Sequence, residues 1–143
     1  MWIQGPKTRR RLPCGIEFCC WSRTQSVLES VRADRQPVAL FPPVLVGLIR
    51  IATNPRVFVY PPPMGTVINF VRALQETPSF EVRPTTERVL ARALALCEQT
   101  DAKGNLARDA FLAAHAIEHG CTWITTDRDF SRFPGLTWQL PGA

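Results

Sequence analysis

The chain has 143 residues, of which 45% are hydrophobic and 20% charged, a balance typical of one soluble globular domain. No apolar run reaches the roughly 18–20 residues of a membrane span, and the basic start lacks the apolar stretch of a signal peptide, so we expect a cytoplasmic protein. The net charge of +5 is concentrated at the start, because residues 1–26 hold five basic residues and one acidic residue. The charge is therefore weak evidence that the folded part binds nucleic acid.

The five cysteines lack the spacing of a metal or disulfide site. They are Cys14, Cys19, Cys20, Cys97 and Cys121. Their number is odd, no Cys-x-x-Cys pair occurs, and adjacent cysteines without partnered histidines are poor zinc ligands. We therefore predict neither a disulfide framework nor a zinc site.

The first part of the chain changes from a basic leader to periodic segments. Residues 1–26 show neither helical nor strand periodicity, and we expect poor order in at least residues 1–12. Apolar spacing predicts a helix over residues 24–34, and a short buried strand follows at Val38–Leu40. These segments mark the start of a folded domain, which we expect to span residues 27–143.

The next predicted helix opens at Pro42, because proline is tolerated in a first helical turn. Its body, residues 44–52, is almost wholly apolar, which predicts burial on most sides, and Arg50 is its one charge. Pro55 cannot continue the helix.

The middle of the chain predicts a helix, a strand and a helix. The first helix covers Thr66–Leu74, the strand covers Phe80–Val82, and Pro84 opens the second helix with Thr85 or Thr86 as its cap. The apolar face of the second helix is predicted to contain Val89, Leu90, Ala93, Leu94 and Cys97.

The last third has the clearest pattern. Asn105 is the predicted N-cap of a helix over Leu106–His119, and Gly120 is the left-handed residue expected after its end. A buried strand is predicted at Cys121–Thr125 and a final strand at Thr137–Leu140. The apolar face of the helix is predicted to contain Ala110, Ala113, Ala114 and Ile117.

Helices therefore alternate with short strands along the chain. Such an order implies a parallel sheet covered by helices on both faces, since parallel strands need long crossover connections. We predict an α/β fold, a three-layer α/β/α sandwich with a central parallel sheet.

Three acids fall where such a fold binds ligands. Asp109 lies near the start of an alanine-lined helix, and Asp127 and Asp129 follow the end of a strand. Clustered carboxylates usually hold a hard cation such as Mg²⁺ or Mn²⁺, which positions a phosphodiester and activates water. Two simpler interpretations stay open, because a first-turn acid often only complements the helix dipole and an Asp-Arg-Asp run is often only a polar turn.

The run from Asn105 to Leu136, with its Ala-rich helix, glycine, strand and Thr-x-Asp-x-Asp-Phe, resembles PIN-domain ribonucleases of the VapC toxin family. A second block, Leu48–Arg56, resembles the same family. The resemblance implies a three-layer α/β/α fold, a Mg²⁺- or Mn²⁺-dependent endoribonuclease and a type II toxin–antitoxin pair. It implies that Asp109, Asp127 and Asp129 are catalytic metal ligands. It also implies an RNA substrate, a cognate antitoxin protein and a homodimer.

The start of the chain departs from this family's pattern. A first strand ending in Asp is expected, yet no aspartate precedes Asp34, and no acid occurs in Val46–Arg50, where many members carry a glutamate. Glu87 is a possible substitute, although it also suits a first helical turn. A shifted reading frame or misassigned start accounts for this leader, as does a natural divergent tail. The alternative to an active nuclease is therefore a degenerate relative that still binds antitoxin or RNA.

Four further side chains have open interpretations. Arg50 and Arg56 are candidate contacts for RNA phosphates, with solvated surface arginine as the alternative. His115 and His119 have a spacing that can hold zinc, but no third ligand is evident. His119 also suits a helix C-terminus.

Overall fold

The computed structural model describes residues 37–141, which fall into two compact units, residues 37–82 and residues 83–141. The leader and the helix predicted over residues 24–34 lie outside the described residues. Among the described residues, no helix combines the length and apolar character needed to cross a membrane.

The first unit contains β1 (Val38–Leu40), α1 (Pro42–Ala52), α2 (Met64–Glu76) and β2 (Phe80–Val82). β1 and β2 pair in parallel, in register along all three residues of each strand. Both strands lie where the sequence predicts them, and each helix includes the predicted segment.

The helix α1 is less buried than its apolar sequence suggests, and the prediction of burial on most sides is wrong. Leu45 is its one buried residue, and it packs with Leu40 of β1 and Val71 of α2. Val46 is 64% exposed. The packing partners within this unit cover one stripe of the helix, so the remaining apolar side chains are left partly or largely open.

The second unit contains α3 (Glu87–Thr100), α4 (Asn105–Glu118), β3 (Trp123–Ile124), a 3-10 helix (Arg128–Arg132) and β4 (Trp138–Gln139). The strands β3 and β4 pair in parallel, as β1 and β2 do. The backbone N–H of Trp123 donates to the carbonyl of Thr137 at 2.9 Å, and the backbone N–H of Thr125 donates to that of Gln139 at 3.1 Å. The predicted α/β class with parallel strand pairing is confirmed, with the described strands in two two-stranded sheets.

The core of the second unit lies between α3, α4 and the 3-10 helix. Its buried members are Val89, Ala93, Leu96, Ala110, Ala113, Ala114, Phe130 and Phe133. Leu90 and Leu94, predicted on the buried face of α3, are more than half exposed. The core stripe of α3 runs through Val89, Ala93 and Leu96, at spacings of four and three, so residues one position further round the helix face outward.

The two ends of α4 differ in how well the sequence predicts them. Gly104 is the N-cap, with φ of 57°, and no side-chain hydrogen bond caps the helix, so the prediction of Asn105 as the cap is wrong. Gly120, with φ of 63°, follows the C-cap as predicted. Its N–H donates to Ile117, and the N–H of Cys121 donates to Ala116 at 2.8 Å. These two bonds form a Schellman motif, which satisfies carbonyls at the helix end.

Candidate metal centre

Asp109 is a buried acid in an alanine-rich helix. It is the fifth residue of α4, with a side chain that is 9% exposed, and Ala110 and Ala113 beside it are fully buried. The dipole effect of a helix falls off within its first turn. Asp109 lies beyond that turn, so the dipole gives little reason for an acid at this position.

The carboxylate of Asp109 is bound by the residue before it. Arg108 lies with Nε 3.3 Å and Nη2 3.1 Å from the same oxygen, Oδ1 of Asp109. The arginine side chain is 57% exposed. This ion pair was not predicted, because neighbouring residues of a helix do not normally face each other. The adjacent opposite charges were the one available signal in the sequence.

Asp127 and Asp129 lie at the start of the 3-10 helix, and both are exposed. Oδ1 of Asp127 accepts the N–H of Asp129 at 2.9 Å, and the N–H of Asp127 donates to Oγ1 of Thr125 at 3.1 Å. Asp127 is therefore a helix cap, as the polar-turn interpretation expected. This role uses one of its carboxylate oxygens and fixes the path of the chain after β3.

The packing of α4 against the 3-10 helix connects the two acidic segments. Asp109 directly precedes Ala110 and Asp129 directly precedes Phe130, and both of these followers belong to the same buried core. The ring of Phe130 lies 5.3 Å from that of Trp123 and 5.9 Å from that of Phe133. Aromatic packing thus anchors the turn that carries the exposed acids next to the helix that carries the buried one.

The chemistry of this donor set fits a hard divalent cation, since all three predicted ligands are carboxylates. Among residues 37–141, however, no group of three or more His, Cys, Asp or Glu side chains is arranged to hold a metal ion. The three acids on their own do not form a finished site in this conformation. The assignment of Asp109, Asp127 and Asp129 as metal ligands stays a prediction.

The other candidate residues have different surroundings. His115 is fully buried, with Nδ1 3.0 Å from the carbonyl oxygen of Phe111 and Nε2 2.9 Å from Oγ1 of Thr85. Burial lowers its pKa. His119 is the C-cap of α4, and its Nε2 lies 3.0 Å from the carbonyl oxygen of Pro84. Both histidines thus link α4 to the segment that leads into α3.

The remaining candidates lie on the surface. Glu87 is exposed in the first turn of α3, the position that the dipole interpretation predicts. Arg50 and Arg56 belong to the first unit, and both are exposed. The backbone N–H of Arg56 donates to Oδ1 of Asn54 at 2.9 Å. RNA binding by either arginine stays a prediction.

Comparison with known proteins gives a consistent result. Residues 26–136 match the PIN domain family. Ribonuclease VapC43 of Mycobacterium tuberculosis is 39% identical over 118 residues, covering 82% of this chain and 80% of that relative. Ribonuclease VapC25 of the same organism is 38% identical over 98 residues, covering 68% of this chain and 69% of that relative.

Two solved structures share the fold. VapBC-1 from nontypeable Haemophilus influenzae matches with a TM-score of 0.62 at 20% identity, over 89% of this chain and 92% of that one. VapBC2 from Rickettsia felis, bound to a DNA fragment from its promoter, matches with a TM-score of 0.57 at 19% identity, over 88% of this chain and 95% of that one.

Proposed function

Because the chain belongs to the PIN domain family, we propose that it is an endoribonuclease of the VapC type, the toxin of a type II toxin–antitoxin pair. The matched region includes all three acids, and the relatives are named ribonucleases. We assign Asp109, Asp127 and Asp129 as catalytic residues that hold Mg²⁺ or Mn²⁺. The expected products carry a 3′ hydroxyl and a 5′ phosphate.

The burial of Asp109 is the observation that carries this proposal. A charged carboxylate removed from water costs free energy unless it is paired. Its hydrogen bonds within residues 37–141 come from Arg108 alone, an exposed residue of the same helix. Among the described residues, the ion pair of Asp109 does not connect α4 to another element, so it adds little to the stability of the fold. A buried acid of this kind supports a role in chemistry.

The three acids have distinct parts in the proposed reaction. Asp109 holds a carboxylate at a fixed position on α4, and Asp127 shapes the turn that presents Asp129. A divalent cation held by these groups would supply a water of lowered pKa and positive charge beside the scissile phosphate. We assign Arg50 and Arg56 to the binding of RNA phosphates, since arginine binds phosphate through charge-assisted hydrogen bonds.

The proposed partners are an antitoxin protein and a second copy of the chain. Both structural relatives are VapBC complexes, which supports the antitoxin.

A second candidate function is binding without cleavage. No aspartate precedes Asp34 in the sequence, and residues 37–141 contain no group of three metal-binding side chains. A chain with an incomplete ligand set binds its cation weakly, yet it keeps the surfaces for antitoxin or RNA. This candidate is a degenerate member of the same family.

One experiment separates the two candidates. The purified full chain is incubated with single-stranded RNA and Mn²⁺, and Mn²⁺ binding is measured by calorimetry. We expect cleavage that EDTA stops and that Asp109→Asn and Asp127→Asn each abolish. Equal cutting by the double variant would refute the assignment of these acids. Absence of both cleavage and Mn²⁺ binding at millimolar ion would favour the degenerate relative.

A further inference from the structure

The contact between Arg108 and Asp109 has an unusual origin. Successive residues of a helix project about 100° apart, so their side chains normally diverge. Here two N–H groups of Arg108 nonetheless reach Oδ1 of Asp109, at 3.1 and 3.3 Å. Both bonds go to a single oxygen, so this is not the two-oxygen fork that arginine and carboxylate form in their strongest pairs.

The two partners lie in different environments. The side chain of Asp109 is 9% exposed, whereas that of Arg108 is 57% exposed. The buried carboxylate needs a positive charge nearby, and the arginine supplies it from the solvent side. Within residues 37–141, the hydrogen bonds of the guanidinium go to one oxygen atom, and more than half of the arginine side chain is exposed to water.

A guanidinium and a divalent cation are alternative counter-ions for one carboxylate oxygen. Arg108 places its positive charge on Oδ1 of Asp109, so a cation held by the same carboxylate would lie close to the guanidinium. Two cations at one oxygen repel each other, so binding of a metal there favours release of the arginine. A released, exposed guanidinium is well suited to phosphate, which it binds through charge-assisted hydrogen bonds.

We propose that Arg108 is a positioning residue of the proposed nuclease site. It neutralises Asp109 in the RNA-free protein, and it exchanges that carboxylate for a phosphate of the RNA when a divalent cation binds. This inference rests on the proposed function. It predicts opposite changes in two affinities when the positive charge is removed, which a purely structural ion pair does not.

The test compares three variants of the full chain with the parent. Arg108→Gln removes the charge, Arg108→Lys keeps it without the planar fork, and Arg72→Gln is the matched control. Arg72 is exposed on α2 and forms no ion pair among residues 37–141. Mn²⁺ affinity is measured by calorimetry without RNA, and KM and kcat are measured on a single-stranded RNA at several KCl concentrations.

The expected changes in Arg108→Gln have opposite signs. Mn²⁺ binds about fivefold more tightly, because a competing charge at Asp109 is gone. KM rises about fivefold with kcat nearly unchanged, because a contact made in both ground and transition states is lost. The slope of log(1/KM) against log[KCl] becomes less negative by about 0.7, the value for one phosphate contact to a single strand. Arg108→Lys keeps the parent's Mn²⁺ affinity and recovers part of KM, and Arg72→Gln changes neither.

Other results overturn the inference. If the parent binds Mn²⁺ and cleaves while Arg108→Gln behaves like Arg72→Gln, the inference is wrong and the proposed function stands. Arg108→Gln can also bind Mn²⁺ more weakly and have a lower Tm. That result would show that the ion pair only supports the fold, and it would reject the inference. If the parent neither binds Mn²⁺ nor cleaves, the proposed function fails and this inference fails with it.

Discussion

Asp109 and Glu118 are acids of the same helix with equal side-chain exposure, 9%, yet they are neutralised differently. Glu118 is bound from α3, by Arg92 at 2.8 Å and by Arg88 at 3.2 Å, so its ion pairs join two helices. The hydrogen bond from Arg92 is the main cause that lowers the pKa of Glu118. Among the residues that the structure describes, Asp109 is paired only with Arg108, its neighbour on α4. The contrast suggests that Glu118 supports the packing of the second unit, whereas Asp109 serves another purpose.

The largest expected effect is that a variant of Asp109 loses activity but not stability, whereas a variant of Glu118 loses stability but not activity. Asp109→Asn abolishes RNA cleavage, because a neutral amide is a poor ligand for a divalent cation, and it leaves Tm nearly unchanged. Glu118→Gln keeps cleavage near the parent rate and lowers Tm modestly, since its pairs are with exposed arginines. Cleavage assays well below Tm and thermal unfolding of both variants provide the measurement.

The two isosteric changes act as controls for each other, since each removes one charge from α4. Loss of cleavage in Glu118→Gln at a temperature where it is folded would remove the distinction. A large fall in Tm for Asp109→Asn would do the same, because it would make Asp109 a structural acid.

A second prediction concerns His115, a buried residue that lies between Asp109 and Glu118 in the sequence of α4. The carbonyl of Phe111 can only accept, so Nδ1 of His115 carries the proton and Nε2 accepts from Thr85. Burial lowers the pKa of His115 below its ordinary value of 6.5. The imidazole ring of His115 therefore takes up its second proton at a higher pH in the unfolded chain than in the folded chain. The stability contributed by neutral His115 is complete above pH 6.5 and is lost as pH falls below it.

Chemical unfolding of the parent and of His115→Gln across this pH range measures the effect. We expect the free energy of unfolding of the parent to decline more steeply on acidification than that of the variant. The variant is less stable at high pH, because glutamine does not reproduce both bonds of the ring. Parallel declines in the two proteins would show that His115 does not contribute to the pH dependence.

The sequence predicts most of the local structure because local rules decide it. The strand Val38–Leu40, a cap at Thr85 or Thr86 and the turn at Gly120 follow from residue types and spacing alone, and the structure has Thr86 as the cap. The rotation of α3, which exposes Leu90, depends on which partner packs against it, and the sequence of one helix does not contain that information. The pairing of Arg108 with Asp109 was missed for a related reason, since it depends on the conformation of one side chain, which residue type and spacing do not fix.

The smallest expected effect compares the starts of the two core helices. Thr86 caps α3, and its Oγ1 accepts the N–H of Val89 at 3.3 Å. Asn105 has the preferred residue type for a cap, yet it lies inside α4 and makes no capping bond. Thr86→Ala should therefore destabilise the protein by about 1 kcal/mol, whereas Asn105→Ala should have little effect or be slightly stabilising, because alanine favours the helix interior. Denaturant unfolding measures both differences. Equal losses in the two variants would mean that Asn105 caps α4 in solution, and that its helix begins one residue later, as its sequence suggests.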